Sequence, residues 1–242
     1  DPRIWTRHGY SSFNLGSSAQ TPLQTEFMVL EHLPALKPKL VIIEVHPGPF
    51  RDEGIESALA MIANRRIDQH TLLMATRLRH PYVWNALAYG MVRQWSGYDD
   101  RLIETMRRKK DTYIDGGFVE RVEGNFKPER STRRENAEPL PSQWAAFQRT
   151  LEALRARGTD HILVEAPVTR WMNERIYPNR ARFDSLMNAS GRYINMNGKV
   201  ELEDRKHFFT KGHLNQAGVG LFNEALIDTL ERRGWLPEPS MP

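Results

Sequence analysis

The sequence lacks cysteine altogether. With no Cys among its 242 residues, disulfide bonds, thiol catalysis and cysteine-ligated zinc are excluded. The eight histidines show neither HExxH nor HxxxH spacing, so a histidine-based metal site is not predicted either. Glycine-rich phosphate loops of the P-loop and dinucleotide-binding types are also missing. We therefore expect neither a metal nor a cofactor.

Long hydrophobic runs are missing as well. No stretch approaches the roughly 20 apolar residues of a membrane span, and the opening DPRIWTRHGY lacks the pattern of a signal peptide. Charge of one sign is not in large excess, because 34 Lys and Arg face 30 Asp and Glu for a net charge of +4. The densest basic run, Arg107 to Lys110, is interpreted as a solvated helix end. No nucleic-acid partner is expected.

What the sequence does contain is an alternation of helical and strand patterns. Hydrophobic residues make up 40% of the chain, enough to build a packed core. A helical pattern over residues 23–36 leads into LVIIEV, a short β-branched run typical of a strand covered on both faces. Two further helix and strand pairs follow, and a last helix is expected over residues 215–233. The second pair begins with Ser142 as helix N-cap and ends in HILVEAPV, and the third ends in YINMNG.

This alternation predicts an α/β fold with a doubly wound parallel sheet in three layers, of the flavodoxin-like kind. We expect one domain over residues 1–242, interrupted by an insertion over residues 54–141. The insertion is helical to about residue 108 and then a charged, exposed loop. Sites in such folds lie at the carboxyl ends of the strands, so the loops that follow the strands should converge.

The segment HFFTKGHLNQAGVGLF places His213 directly before the last predicted helix. It resembles the final conserved block of SGNH (GDSL-type) hydrolases, which implies that His213 is the general base that activates a serine. In that family an Asp stands three residues before the His, but here the position is Thr210. A hydroxyl can accept the imidazole N–H, although it does not stabilise an imidazolium as a carboxylate does. Glu203 and Asp204 lie nearby in sequence and are candidate substitutes.

The segment FNLGSSAQTP has two interpretations within this resemblance. In the first, Gly16 and the serines after it stand for the Gly-Asp-Ser of the first family block, and Ser18 is the nucleophile. In the second, Asn14 and Gly16 belong to the second family block, and the backbone N–H of Ala19 binds the oxyanion. We prefer the second, because a nucleophile turn should follow a strongly apolar strand. The family's serine would then lie upstream of Asp1.

The same segment also has a purely structural interpretation. Ser18 or Thr21 can cap the helix that follows, with Pro22 in its first turn. DPRIWTRHGY fits the end of a helix that stops at Gly9.

The third family block is a Gly-x-Asn-Asp after the strand that reads LVIIEV here. His46 lies near the position of that Asn, either as a hydrogen-bond donor to the oxyanion or as part of a turn. Glu44 and Glu165 lie at the ends of their strands, so paired carboxylates for glycosidic chemistry are a further possibility.

The spacing of these blocks resembles exported SGNH-like proteins that modify cell-surface polysaccharides. The resemblance implies O-acyl ester hydrolysis or transfer through an acyl-serine, with an acylated carbohydrate or small ester as substrate. It also implies an extracytoplasmic location, periplasmic or membrane-associated, and a possible protein partner or membrane-anchored complex. The alternative is a binding or assembly subunit that keeps the fold but has lost the catalytic Asp and Asn.

Overall fold

The computed structural model describes residues 1–98, 106–108, 110–121, 124–127, 135–175, 177 and 179–239. The helices are α1 (Pro2–Arg7), α2 (Pro22–Leu36), α3 (Ile55–Asn64), α4 (Gln69–Leu78), α5 (Pro81–Trp95), α6 (Pro141–Ala156), α7 (Arg170–Arg175), α8 (Arg180–Ser190), α9 (Asp204–His207) and α10 (Gln216–Arg232). The strands are β1 (Leu40–Glu44), β2 (Arg107–Arg108), β3 (Asp111–Ile114), β4 (Phe118–Arg121), β5 (Asp160–Glu165), β6 (Tyr193–Asn195), β7 (Phe208–Thr210) and β8 (His213–Leu214).

The central sheet consists of β1, β5 and β6 in that order, and both pairs are parallel. Leu40 pairs with Asp160, and Leu163 pairs with Tyr193. A helix precedes each strand along the chain, as parallel pairing requires, because the chain must return to the same end of the sheet. The predicted α/β class with a parallel sheet is therefore confirmed.

Side chains cover both faces of this sheet. On one face Ile43, Val45 and Leu163 join a buried cluster with residues of α2, α6 and α8. On the other face Ile162 and Val164 pack with residues of α10. Successive side chains of a strand point to opposite faces, so a strand buried on both faces needs a continuous apolar run, as in LVIIEV and HILVEA.

The helix boundaries follow from local sequence. Thr21 is the N-cap of α2, and its backbone N–H donates to Gln24 Oε1 at 3.2 Å. Asn215 caps α10, where its side-chain oxygen accepts from the Gly218 N–H at 3.0 Å. The prediction of Ser142 as a cap is wrong: α6 begins at Pro141 with Leu140 as its N-cap. The fixed φ of proline suits the first helical position, so the helix starts at Pro141, two residues earlier than Ser142 as N-cap would place it.

The region 54–141 contains both helices and strands. Its helices α3, α4 and α5 pack around a separate apolar cluster that includes Phe27 of α2. The expected loop is wrong for residues 111–121, where β3 and β4 form an antiparallel hairpin. Gly116 and Gly117 have φ of +96° and +79°, which glycine adopts without strain and which close the turn tightly. Asn14 donates its backbone N–H to Gly116 O at 2.7 Å.

The prediction that the basic run from Arg107 to Lys110 ends a helix is wrong for its first two residues. Arg107–Arg108 form β2, which pairs with β3, so these two residues are extended and do not end a helix. Lys109 lies outside the described residues. Among the described residues, no helix combines the length and apolar character needed to cross a bilayer.

Candidate functional site

The turn that carries His213 is joined to the carboxyl end of the central sheet. It links β7 to β8 immediately before α10. Thr169, in the loop after β5, donates its backbone N–H to Lys211 O at 3.0 Å and its hydroxyl to the same oxygen at 2.8 Å. These bonds fix the turn beside the strand end, where sites of parallel α/β folds lie.

Within this turn Thr210 and His213 form a direct contact. Thr210 Oγ1 lies 2.6 Å from His213 Nδ1, and the two residues oppose each other in the β7–β8 pair. The ring of Phe209 stacks on the imidazole, with 5.4 Å between the ring centroids. If Nδ1–H donates to the Thr210 hydroxyl, Nε2 carries a free lone pair and is available to accept a proton.

The ionisation state of His213 suits a base. The residue remains accessible to solvent, while partial desolvation of its ring lowers the pKa of His213 below its ordinary value. The imidazole is therefore neutral at neutral pH. A general base must be unprotonated to take a proton from a hydroxyl.

The carboxylates near this turn in sequence have other partners. Asp204 Oδ1 accepts from the Arg170 backbone N–H at 2.8 Å, at the start of α7. Glu203 pairs with Lys206 at 2.7 Å. Within the described ranges no carboxylate is hydrogen-bonded to His213, and Thr210 occupies that position.

The segment expected to supply Ser18 and the oxyanion donor forms an exposed turn before α2. Asn14 Oδ1 accepts from the Gly16 N–H at 2.9 Å, and Gln20 Oε1 accepts from the backbone and hydroxyl of Ser17 at 2.9 and 3.0 Å. Ala19 has a left-handed φ of 52°. In the part of the chain that the structure describes, no hydrogen bond joins Ser18 to His213.

His46 follows β1, and its side chain is 13% exposed and directed into the protein. Its Nδ1 accepts from the Gly48 N–H at 3.1 Å, so the proton of the neutral ring is on Nε2. That nitrogen lies 4.0 Å from Glu165 Oε1, and the ring packs edge-on against Tyr177. Burial lowers the pKa of His46 to about 3, with Arg180 and His213 as lesser contributors.

Glu165, at the end of β5, is the centre of a buried polar network. It is fully buried and forms an ion pair with Arg180 at the start of α8. The Tyr193 hydroxyl lies 3.0 Å from Glu165 Oε2 and 2.5 Å from Asp184 Oδ1. Burial raises the pKa of Glu165 to about 7, although Arg180 and Tyr193 oppose this shift.

One proton on Tyr193 cannot satisfy two carboxylates. Its hydroxyl therefore donates to one of them at a time, either to Glu165 Oε2 or to Asp184 Oδ1, which is the shorter contact. No sequence motif indicates this network, because its members come from β5, α8 and β6. Glu44 is in register with Val164 and therefore points to the opposite face of the sheet from Glu165, so these two do not form the carboxylate pair that glycosidic chemistry needs.

The described residues contain no group of three or more His, Asp or Glu arranged to hold a metal ion. Comparison of the chain with protein-family models, with curated proteins and with solved structures finds no match.

Proposed function

We propose that this chain supplies the general-base part of an ester-processing site, like that of SGNH-like serine esterases and O-acyltransferases acting on cell-surface carbohydrate esters. The observation that carries the proposal is the contact between Thr210 Oγ1 and His213 Nδ1. It orients a neutral imidazole at the carboxyl end of a parallel sheet. The spacing of the two residues is that of the family's Asp and His.

In the proposed reaction His213 Nε2 takes the proton of a serine hydroxyl as the serine oxygen attacks the ester carbonyl. The oxyanion is held by backbone N–H groups, for which the turn at Ala19 is the candidate. His213 then gives its proton to the departing sugar oxygen, and an acyl-serine remains. Water or a second sugar hydroxyl attacks the acyl-serine, loses its proton to His213, and the serine is restored as it recovers that proton.

The nucleophile in this proposal is Ser18 or a serine outside residues 1–242. In the proposed arrangement the Thr210 hydroxyl accepts from Nδ1–H of His213 but carries no charge, so the imidazolium that forms during attack is poorly stabilised. The proposed activity is therefore slow. A flavodoxin-like, doubly wound fold of the SGNH type and an extracytoplasmic location belong to the same proposal, and helices on both faces of the sheet support the first.

A second candidate function is that of a binding or assembly subunit without catalysis. It is favoured by His46, which lies near the position at which the SGNH family has its oxyanion-binding Asn. Its Nδ1 is occupied by the Gly48 N–H, and its Nε2 faces Glu165. The Nε2–H of His46 is therefore buried and faces Glu165, and not an oxyanion in the cleft.

Labelling of the native gene product with a fluorophosphonate probe separates the two functions. We expect one labelled serine, located by mass spectrometry, and loss of the label in His213→Ala. His32→Ala is the control, since His32 lies on α2, and it should keep the label. Ser18→Ala then shows whether Ser18 is the labelled residue. Absence of label on folded protein, or label unaffected by His213→Ala, would reject the general-base role and favour the binding subunit.

A further inference from the structure

Phe209, the residue before Thr210, is the aromatic neighbour of His213. Its ring is stacked on the imidazole, at an angle of 26° between the ring planes and with 5.4 Å between the centroids. This distance lies in the range that stacked ring pairs prefer. The preceding residue, Phe208, is 1% exposed, whereas Phe209 is half-buried. Of two adjacent phenylalanines, one therefore anchors β7 in the core and the other faces His213.

An irregularity in β7 brings both Phe209 and Thr210 to the same imidazole. Phe208 pairs with Leu214 and Thr210 pairs with His213, so the register shifts between these pairs and Phe209 has no partner residue on β8. In a regular strand adjacent side chains point to opposite faces, so only one of the two would face His213. A β-bulge re-aims side chains, because two residues of one strand face a single residue of the other. The imidazole thus contacts a hydroxyl through Nδ1 and an aromatic ring through its face.

The backbone on both sides of Phe209 is held in place. Before it, Phe208 O accepts from the Phe126 N–H at 2.7 Å. After it, Lys211 O accepts two hydrogen bonds from Thr169. Phe209 lies between these two anchors, so its ring keeps a defined position when the charge of the imidazole changes.

The position of the ring matters because of the charge that His213 acquires. In the proposed reaction the imidazole takes up a proton and becomes a cation. The face of an aromatic ring is the negative part of its quadrupole, and it attracts a cation that lies within about 6 Å of the ring centroid. Because a neutral imidazole is attracted less, the contact favours the protonated form. Thr210, the other side chain on the imidazole, carries no charge.

We propose that Phe209 is a positioning residue of this site, whose ring face holds the imidazole of His213 and stabilises the imidazolium that forms during attack. The inference rests on the proposed function, in which His213 is the general base. It assigns to an aromatic ring part of the role that an Asp has in the SGNH family. The ring replaces a carboxylate only in part, since a cation–π contact at an exposed site favours the cation by about two- to five-fold.

Titration of His213 by NMR in the full chain tests this proposal without any ester chemistry. The imidazole resonance is assigned by its loss in His213→Ala. In Phe209→Leu, which keeps an apolar side chain but removes the aromatic face, we expect the pKa of His213 to fall by about 0.4–0.7 pH units. Phe209→Trp should keep this pKa at or above the value of the parent, because tryptophan is the best cation–π partner. His46, whose charge interacts with that of His213, and Lys211 of the same turn are unchanged in these variants.

The matched control is Phe222→Leu on α10. Phe222 is also half-buried and packs against the cluster that α10 forms with the sheet. The change removes an aromatic ring of similar burial away from the turn, so the pKa of His213 should equal that of the parent.

The pH profile of fluorophosphonate labelling gives a second measurement. In Phe209→Leu we expect the limiting rate at high pH to fall by about two- to five-fold. The midpoint of the profile should move to lower pH by the amount measured by NMR. A turn that had only become looser would slow labelling without this acid shift.

Three results would overturn the proposal. They are an unchanged pKa of His213 in Phe209→Leu, an equal fall in Phe209→Leu and Phe222→Leu, and a Phe209→Trp variant that behaves as Phe209→Leu does. Failure of the proposed function gives a different pattern. If the folded parent takes no label while the pKa values follow the expected order, the stabilisation by Phe209 is supported and the general-base role is rejected.

Discussion

Two polar clusters at the carboxyl end of the sheet differ in how they are held. Glu165, Arg180 and Tyr193 form a network around a fully buried carboxyl group. Thr210 and His213 form a single contact on a turn at the surface. The first cluster is fixed by packing from several elements, whereas the second has one side-chain hydrogen bond and one aromatic neighbour.

The two clusters are held in ways that fit different roles. Burial of an ion pair costs desolvation energy, and the loss of either partner leaves a bare charge in the interior. The Glu165 network therefore holds the ends of β5 and β6 and the start of α8 together. His213 is exposed to solvent, and partial desolvation lowers its pKa, which favours the neutral imidazole. We expect changes in the first cluster to alter stability and changes in the second to alter activity.

Replacement of Arg180 gives the largest effect expected from this comparison. At pH 8, Arg180→Met removes the cation that pairs with ionised Glu165, so the buried carboxyl group must either stay charged without a partner or take up a proton, and we expect the free energy of unfolding to fall by about 3–5 kcal/mol. At pH 5 the loss should be smaller, because the pKa of Glu165 is raised to about 7 and the carboxyl group is then protonated. Urea denaturation at both pH values measures this.

Arg182→Met is the control for that variant. Arg182 lies on the same helix, is exposed, and pairs with Glu138 at the surface, so its loss should be within about 0.5 kcal/mol. The double variant Glu165→Gln/Arg180→Met should recover much of the stability. An equal loss at pH 5 and pH 8 would show that packing, and not charge, accounts for the effect.

A carboxylate introduced at position 210 should make the difference between the two clusters larger, if the proposed function holds. In Thr210→Asp a negative charge next to Nδ1 stabilises the imidazolium, so we expect the pKa of His213 to rise and the rate of probe labelling to increase by about 10- to 100-fold. The pKa is followed by NMR. Thr210→Asn, of similar size and without charge, should produce neither change, and a matching response in the two variants would argue against the proposed role of the position.

The pH dependence of stability gives the smallest of the three effects. Glu165 has a raised pKa, about 7 against an ordinary 4.5, so its contribution is complete below pH 4.5 and is lost as the pH rises through 7. His46 has a lowered pKa, about 3 against an ordinary 6.5, so its contribution is complete above pH 6.5 and is lost as the pH falls through 3.

Between pH 4.5 and 6.5 the two contributions to the free energy of unfolding oppose each other: as the pH rises, that of Glu165 is lost and that of His46 is gained. In His46→Gln only the Glu165 slope remains, and we expect the free energy of unfolding to fall by about 1–3 kcal/mol from pH 4.5 to 7. His32→Gln should keep the flatter profile of the parent, measured by urea denaturation in both cases. An unchanged profile in His46→Gln would mean that one of the two groups titrates near its ordinary pKa.

The sequence predicted the parallel sheet and several helix ends because both depend on local patterns. Continuous β-branched runs indicated buried strands, and Asn215 and Thr21 indicated helix starts. The contact between Thr210 and His213 also joins residues three apart, within one turn of chain. Such features are encoded over a few residues, so they can be inferred without the fold.

The remaining features depend on tertiary placement. Arg180 meets Glu165 only because β5 and β6 pair in a register that opposes Glu165 to Asn195, with α8 between them in the chain. The hairpin over residues 111–121 has few apolar residues, and its signal, Gly116 and Gly117, is also typical of loops. Helix α5 has apolar residues on its exposed side as well as on its buried side, so its sequence does not indicate which side is buried.

The pairing of Leu40 with Asp160 has a consequence for how the chain folds. The partners of this pair lie on opposite sides of the whole insertion, so among the strands that the structure describes, β1 has none to join until β5 has been synthesised. The contacts among α3, α4 and α5 are close in sequence and form early. We therefore expect a nascent chain in which these helices are already packed while LVIIE remains an open, apolar strand, and this segment is where misfolding and dependence on chaperones should begin.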